Sequence, residues 1–232
     1  MCDPIIDDLW NKPAFILQLL MREMLKPAKE RLEWIMWADR DTMILDQCRP
    51  VSSFLPPQAS HLGSWWRGDN GLLHTENATE VHLLVTNDFN GLNNGIFLLR
   101  VSEWAIALFT SILAFRHYEP DVLLPFTEQS AMEHVIQSEH FRHETQFVPQ
   151  HWFNAYDVGG PAAYMGREAT GSSDMSVRRG DFLVHLAGHS EKGRVIEEYA
   201  AMLRNSSDVW EEGTVQRDVS TDVAAFWKGL GY

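Results

Sequence analysis

The chain is poor in cysteine. Its 232 residues include only Cys2 and Cys48, so no disulfide framework carries the fold, although one bridge is possible. No run approaches about 18 uninterrupted apolar residues, so no membrane span is expected. Acidic residues follow closely on Met1, which argues against a signal peptide. Basic residues are scarce as well: 19 Lys and Arg stand against 32 Asp and Glu, for a formal net charge of -13. Such a balance excludes nucleic acid and anionic membrane surfaces as natural partners. It is compatible with a metal ion and a neutral sugar or peptide. Several catalytic motifs are also missing. There is no phosphate-binding Gly-x-x-x-x-Gly-Lys-Ser/Thr loop, no Gly-x-Ser-x-Gly elbow, no dinucleotide-binding Gly-x-Gly-x-x-Gly and no His-Glu-x-x-His zinc helix.

What remains is a globular composition, 45% hydrophobic and 22% charged, with enough length to bury one sizeable core. The pattern reads as an α/β fold. Trp10 to Glu30 has apolar residues at three- and four-residue spacing, and Pro13 suits a first helical turn. Trp34 to Ala38 is a short uncharged aromatic run, which reads as a buried strand of a parallel sheet. Val81 to Val85 is a strand, Asn87 to Gly95 a polar turn and Ile96 to Leu99 another strand. Ser102 caps a helix from Glu103 to Phe115, and Thr127 caps one running to His140. Phe147 to Trp152 reads as a short strand, Pro161 to Arg179 as a loop, and Gly180 to Gly188 as a strand followed by a turn. A helix over Val195 to Arg204 precedes a polar tail with a short helix at Val223 to Leu230.

Chemistry concentrates at a few points. Asp39 and Asp41 follow the Trp34 strand directly, where open α/β sheets bind ligands. Paired carboxylates repel one another unless a cation lies between them, so a divalent ion with oxygen ligands and a solvated acidic loop both fit. His185 stands in an otherwise apolar segment and suits either a core histidine or a third, nitrogen ligand. Glu128 and Gln129 open a helix, and Lys192 follows in a glycine-flanked turn where a cation can meet phosphate. Trp65 and Trp66 suit a sugar-stacking platform or a plug at the core edge. The His140, His143 and Glu144 cluster lacks zinc-site spacing and reads as a solvated helix end.

Five segments occur in one order: Trp34 to Asp41, Gly91 to Trp104, Glu128 to Ser130, Phe147 to Tyr156 and Gly180 to Gly188. Over roughly residues 10 to 200 this order resembles glycosyltransferase family 34, the fungal galactosyltransferases and mannosyltransferases, to which plant xyloglucan xylosyltransferases also belong. The resemblance implies a single GT-A type domain, Rossmann-like, with a mostly parallel sheet flanked by helices. It implies a retaining hexosyltransferase using Mn2+, with UDP-galactose or GDP-mannose as donor and a glycan as acceptor. By motif, Asp39, Asp41 and His185 hold the metal, and Glu128 and Gln129 lie beside the reacting sugar, where relatives carry Asp-Gln. Asn93, Asn94, Gly95, Gly188 and Lys192 line the donor and acceptor cleft. The lysine shortly after the histidine motif of plant relatives has no match in register here; Ser190 falls at about that place, two residues before Lys192. The implied location is the lumenal side of the Golgi membrane, and a Golgi glycosyltransferase complex is an implied partner. The membrane anchor, stem and first strands of relatives are expected to be missing here. A non-catalytic, glycan-binding or complex-forming subunit is therefore the alternative expectation.

Overall fold

The computed structural model describes residues 6, 8–57, 80–166, 175–205 and 217–232. Cys2, Trp65 and Trp66 lie outside these. Helix α1 spans Asn11–Met24. It is shorter than the periodicity suggests because Pro27 disfavours helical backbone at the residue before it; a 3-10 turn over Ala28–Glu30 follows. Strands β1 (Trp34–Ala38) and β2 (Thr42–Ile44) flank the acid pair. A hairpin then joins β3 (Leu83–Asp88) and β4 (Gly91–Arg100). Helices α2 (Glu103–Tyr118) and α3 (Glu128–Gln137) follow, then β5 (Thr145–Phe147) and β6 (Ala155–Tyr156). Helix α4 (Gly160–Gly166), β7 (Leu183–His185), α5 (Lys192–Asn205) and α6 (Ser220–Gly229) complete the described elements.

The strands form a sheet in the order β1-β4-β3-β5 and a smaller one in the order β2-β7-β6. Helices pack on the sheets, as an α/β fold requires. Strand direction is where the expectation fails: β1 pairs antiparallel with β4, and β3 with β4, while β3–β5 and β6–β7 are parallel. An uncharged run reports burial and carries no information on the direction of the neighbouring strand. In this fold β1 is half-buried at the sheet edge.

β4 is buried on both faces, and its alternation divides the core. Phe97 and Leu99 face α1, α2 and α3 through Ile16, Leu20, Leu108, Phe109 and Met132. Ile96 and Leu98 face the opposite side, with Phe54, Trp152, Phe153 and Trp227. A third cluster around Ala155, Val184, Tyr164 and Tyr199 seats the small sheet against α4 and α5.

Other boundaries move for local reasons. The hairpin turn is confined to Phe89–Asn90, so Asn93, Asn94 and Gly95 lie inside β4 and not in a turn. The stretch expected as a strand to Trp152 stops at Phe147, because Pro149 has no N–H for a ladder. Part of the expected loop after Pro161 is helix α4. The His140 and His143 side chains are exposed, as a solvated helix end requires. Among the described residues no helix is long and apolar enough to cross a membrane.

The two helix starts differ. Ser102 has extended backbone and its side chain accepts from Ala105 N at 3.2 Å. Thr127 makes no side-chain cap bond and sits at φ 54°, ψ -116°, a region that suits glycine. Ser102→Ala is therefore expected to lower unfolding stability by about 1 kcal/mol. Thr127→Gly is expected to raise it by about 1 kcal/mol through relief of backbone strain. Urea titrations of both variants check the pair.

Candidate active site

The chain passes from the large sheet to the small one between β1 and β2, and the acid pair lies at that corner. Asp39 N donates to Gly95 O (2.8 Å), which ties the turn to β4. Leu186 N donates to Asp41 O (2.9 Å), and the β2–β7 register pairs Thr42 with His185. These backbone ladders bring Asp39 and Asp41 together with His185, which lies 146 and 144 positions later in the sequence. One ligand atom from each of Asp39, Asp41 and His185 lies within 4.8 Å of the others. Asp41 and His185 are buried, and Asp39 is partly so.

Two lysines answer the acids. Lys192 Nζ is 2.6 Å from Asp41 Oδ2, while Oδ1 faces His185 Nε2 at 3.6 Å. Lys12 Nζ is 3.3 Å from Asp39 Oδ1, which also accepts from Trp37 Nε1 (2.7 Å). Lys12 further donates to Asn94 O (2.7 Å) and Asn94 Oδ1 (2.9 Å), and lies 3.9 Å from Glu128 Oε1. Gln129 Oε1 accepts from Asn94 N (3.1 Å). Glu128 and Gln129, at the start of α3, are thereby joined to the acid pair through Lys12 and Asn94.

Burial and charge act against each other here. The imidazole of His185 when it carries both protons, and then the ammonium of Lys192, hold the Asp41 carboxyl far below the usual carboxylate range despite partial burial. Burial lowers the Lys12 ammonium, opposed by Asp39 and Glu128. Burial raises the Glu128 carboxyl, opposed chiefly by Lys12. Oε2 of Glu128 is buried with no hydrogen-bond partner among the described residues. An orphaned oxygen of this kind is costly unless a ligand meets it.

His185 reaches the corner because Gly95 leaves room. A Cβ added at Gly95 would lie 2.4 Å from His185 Cε1 and 3.0 Å from Nε2. Asn93, expected as a ligand contact, is reassigned by its geometry. Its Nδ2 donates to Asp88 Oδ2 and Tyr156 OH, and its Oδ1 accepts from Gly95 N and Asn154 Nδ2. Those bonds use all four positions of the amide, so Asn93 is scaffold. Gly188, at φ +72°, makes the turn after β7 that leads to Lys192. Lys12 and Asn154 join the site only in the fold. A cation in the first turn of a helix opposes the helix dipole, a local signal of other duty for Lys12; Asn154 carries no such signal.

The galactosyl transferase GMA12/MNN10 family matches residues 6–195. An uncharacterized alpha-1,2-galactosyltransferase of Schizosaccharomyces pombe is 28% identical over 172 residues, 67% of this chain and 41% of that protein. The protein named probable alpha-1,6-mannosyltransferase MNN10 of Saccharomyces cerevisiae is 27% identical over 77% of this chain and 46% of its own length. An alpha-1,2-galactosyltransferase of Schizosaccharomyces pombe is 25% identical, covering 67% and 41%. The chain spans about half the length of these relatives.

Gly95→Ala is expected to force His185 away from β4 and to cost about 1–3 kcal/mol by overpacking, read in urea unfolding and in the displaced ring signals of His185. The Asp41 carboxyl is lowered, so its contribution is present above the unfolded value and is lost as pH falls. The stability difference between wild type and Asp41→Asn is therefore expected to be largest near neutrality and to narrow below about pH 4, measured by unfolding at stepped pH.

Proposed function

Because the chain belongs to the galactosyl transferase GMA12/MNN10 family, we propose that it is a retaining hexosyltransferase that moves galactose or mannose from a nucleotide sugar to a glycan acceptor with a divalent cation, Mn2+. The observation that carries this reading is the convergence of Asp39, Asp41 and His185 beside Lys192, with Glu128 and Gln129 across Lys12. The donor set fits the ion, since two carboxylate oxygens and one imidazole nitrogen suit Mn2+. Each lysine sits on one oxygen of its carboxylate, leaving the other for an ion.

In this reading Asp39, Asp41 and His185 hold the ion, which when bound neutralises charge on the leaving diphosphate. Lys192, whose side chain is 43% exposed, is free to turn from Asp41 toward a phosphate oxygen. Lys12 keeps Asp39, Asn94 and Glu128 in fixed relation before substrate arrives, the preorganisation on which electrostatic catalysis rests. Glu128 faces the positive charge that develops at the anomeric carbon, and its partly desolvated position strengthens that interaction. Gln129, oriented by Asn94 N, supplies an amide to the sugar hydroxyls. UDP-galactose and GDP-mannose are the candidate donors. The reading includes residence on the lumenal side of the Golgi membrane, tested by localising a tagged chain.

Calorimetry with UDP and GDP, with and without Mn2+, tests the site. Micromolar binding of one nucleotide is expected, lost without the ion and in Asp39→Ala/Asp41→Ala. Absence of binding by the folded protein sinks the transferase reading. It would favour the second one, a glycan-binding or complex-forming subunit.

A further inference from the structure

Behind His185 lies a chain of buried polar side chains whose donors and acceptors can be assigned without reference to the histidine. At one end stand two groups of single polarity. The N–H of Gly95 can only donate, and the atom it meets at 3.0 Å is Asn93 Oδ1. The Asp88 carboxylate can only accept when ionised, and it receives Asn93 Nδ2 at 3.1 Å. Both fix the Asn93 amide in the same orientation. Tyr156 OH donates to Asp88 and accepts from Asn93 Nδ2 at 2.6 Å. Burial and the neighbouring Asp88 push the tyrosine hydroxyl far above its ordinary range, so it keeps its proton.

The orientation propagates. Asn93 Oδ1 only accepts, so the Asn154 atom 3.1 Å from it is the donor Nδ2, which also donates to Thr86 Oγ1 at 2.7 Å. Asn154 is fully buried, and its backbone is held by Asn154 N to Gln150 O (2.9 Å) and Gln150 Nε2 to Asn154 O (3.0 Å). Its remaining atom, Oδ1, lies 2.7 Å from His185 Nδ1. An oxygen there requires a proton on Nδ1.

We propose that Asn154 is a positioning residue that locks His185 as the Nδ1–H tautomer and turns the Nε2 lone pair toward Asp39 and Asp41, with Asn93, Asp88 and Gly95 as the relay that orients its amide. In the neutral ring, Nε2 then faces Asp41 Oδ1 at 3.6 Å. Two acceptors so placed favour a cation between them. This step rests on the reading of Asp39, Asp41 and His185 as a cation site. The polarity of the relay is independent of it. Partners of this kind fix the tautomer of metal-bound histidines generally.

The test is a long-range proton–nitrogen correlation spectrum of the metal-free 232-residue chain labelled at histidine, at a pH where the ring is neutral. His185 is expected as Nδ1–H. Asn154→Leu is expected to shift it to Nε2–H, donating to Asp41, and to weaken Mn2+ binding by about 10–100-fold in calorimetry. Asn93→Leu, which removes an amide bonded to Asn154 and not to the ring, is expected to let the Asn154 amide turn and to give a mixture of tautomers. An Nε2–H tautomer in the wild type overturns the proposal. So does a folded Asn154→Leu protein with unchanged tautomer and Mn2+ affinity. If that variant does not fold, the wild-type spectrum decides. A wild type with Nδ1–H but no Mn2+ binding overturns the cation reading while upholding the relay.

Discussion

Like charges gathered in one corner of a fold repel, and here Asp39, Asp41 and Glu128 are gathered where the chain crosses from one sheet to the other. A unit pair 4 Å apart interacts by about 4 kcal/mol at the effective dielectric typical near protein surfaces. That is a large fraction of the roughly 5–15 kcal/mol by which domains are stable. The arrangement persists because Lys12 sits between Asp39 and Glu128, and Lys192 and His185 flank Asp41. These partners come from α1, from the start of α5 and from the end of β7, so elements distant in sequence depend on the same balance. Removing one partner of such a cluster leaves an uncompensated charge, which is worse than having neither.

The scaffold holds the corner rigidly. β4 supplies backbone to Asp39 through Gly95, side chain to Lys12 through Asn94 and the amide of Asn93 to the relay behind His185. It can do so because it is buried on both faces between the two main core clusters. The small sheet is fixed to the same strand by polar bonds across the corner, with Asn154 at the middle. A polar network of this kind is stabilising only when every member is satisfied, and Asn93 and Asn154 meet that condition. Glu128 Oε2 does not, and it points to the place where a ligand would complete the site.

In the proposed transferase, the site is electrostatically prepared for a ligand of mixed charge. Lysines on one oxygen of each acid leave the other available, so a divalent cation adds to the cluster without dismantling it. In the proposed transferase a diphosphate would offer the lysines a competing partner of the same sign as the acids they leave. The positive charge developing on a departing sugar would find Glu128 opposite. Such a distribution follows from which atoms are already engaged and which are spare.

Much of this was legible in the residues taken alone. The run Trp34 to Ala38 with Asp39 and Asp41 after it, the cap at Ser102 and the lone histidine at 185 identified the α/β class and the candidate ligands, because periodicity, capping and acid spacing are local properties. The relation between strands was not legible: the aromatic run signalled burial, but the antiparallel pairing of β1 with β4 depends on where the hairpin partner folds back. The asparagines of β4 resembled turn residues until the fold supplied partners that let buried amides continue a strand. Lys12 and Asn154 became part of the site only in three dimensions. A lysine belongs to an acid pair, and an amide to a histidine, through distances that the chain closes by tertiary packing; the neighbourhood of Lys12 signals only a cation misplaced on its helix, and that of Asn154 signals nothing.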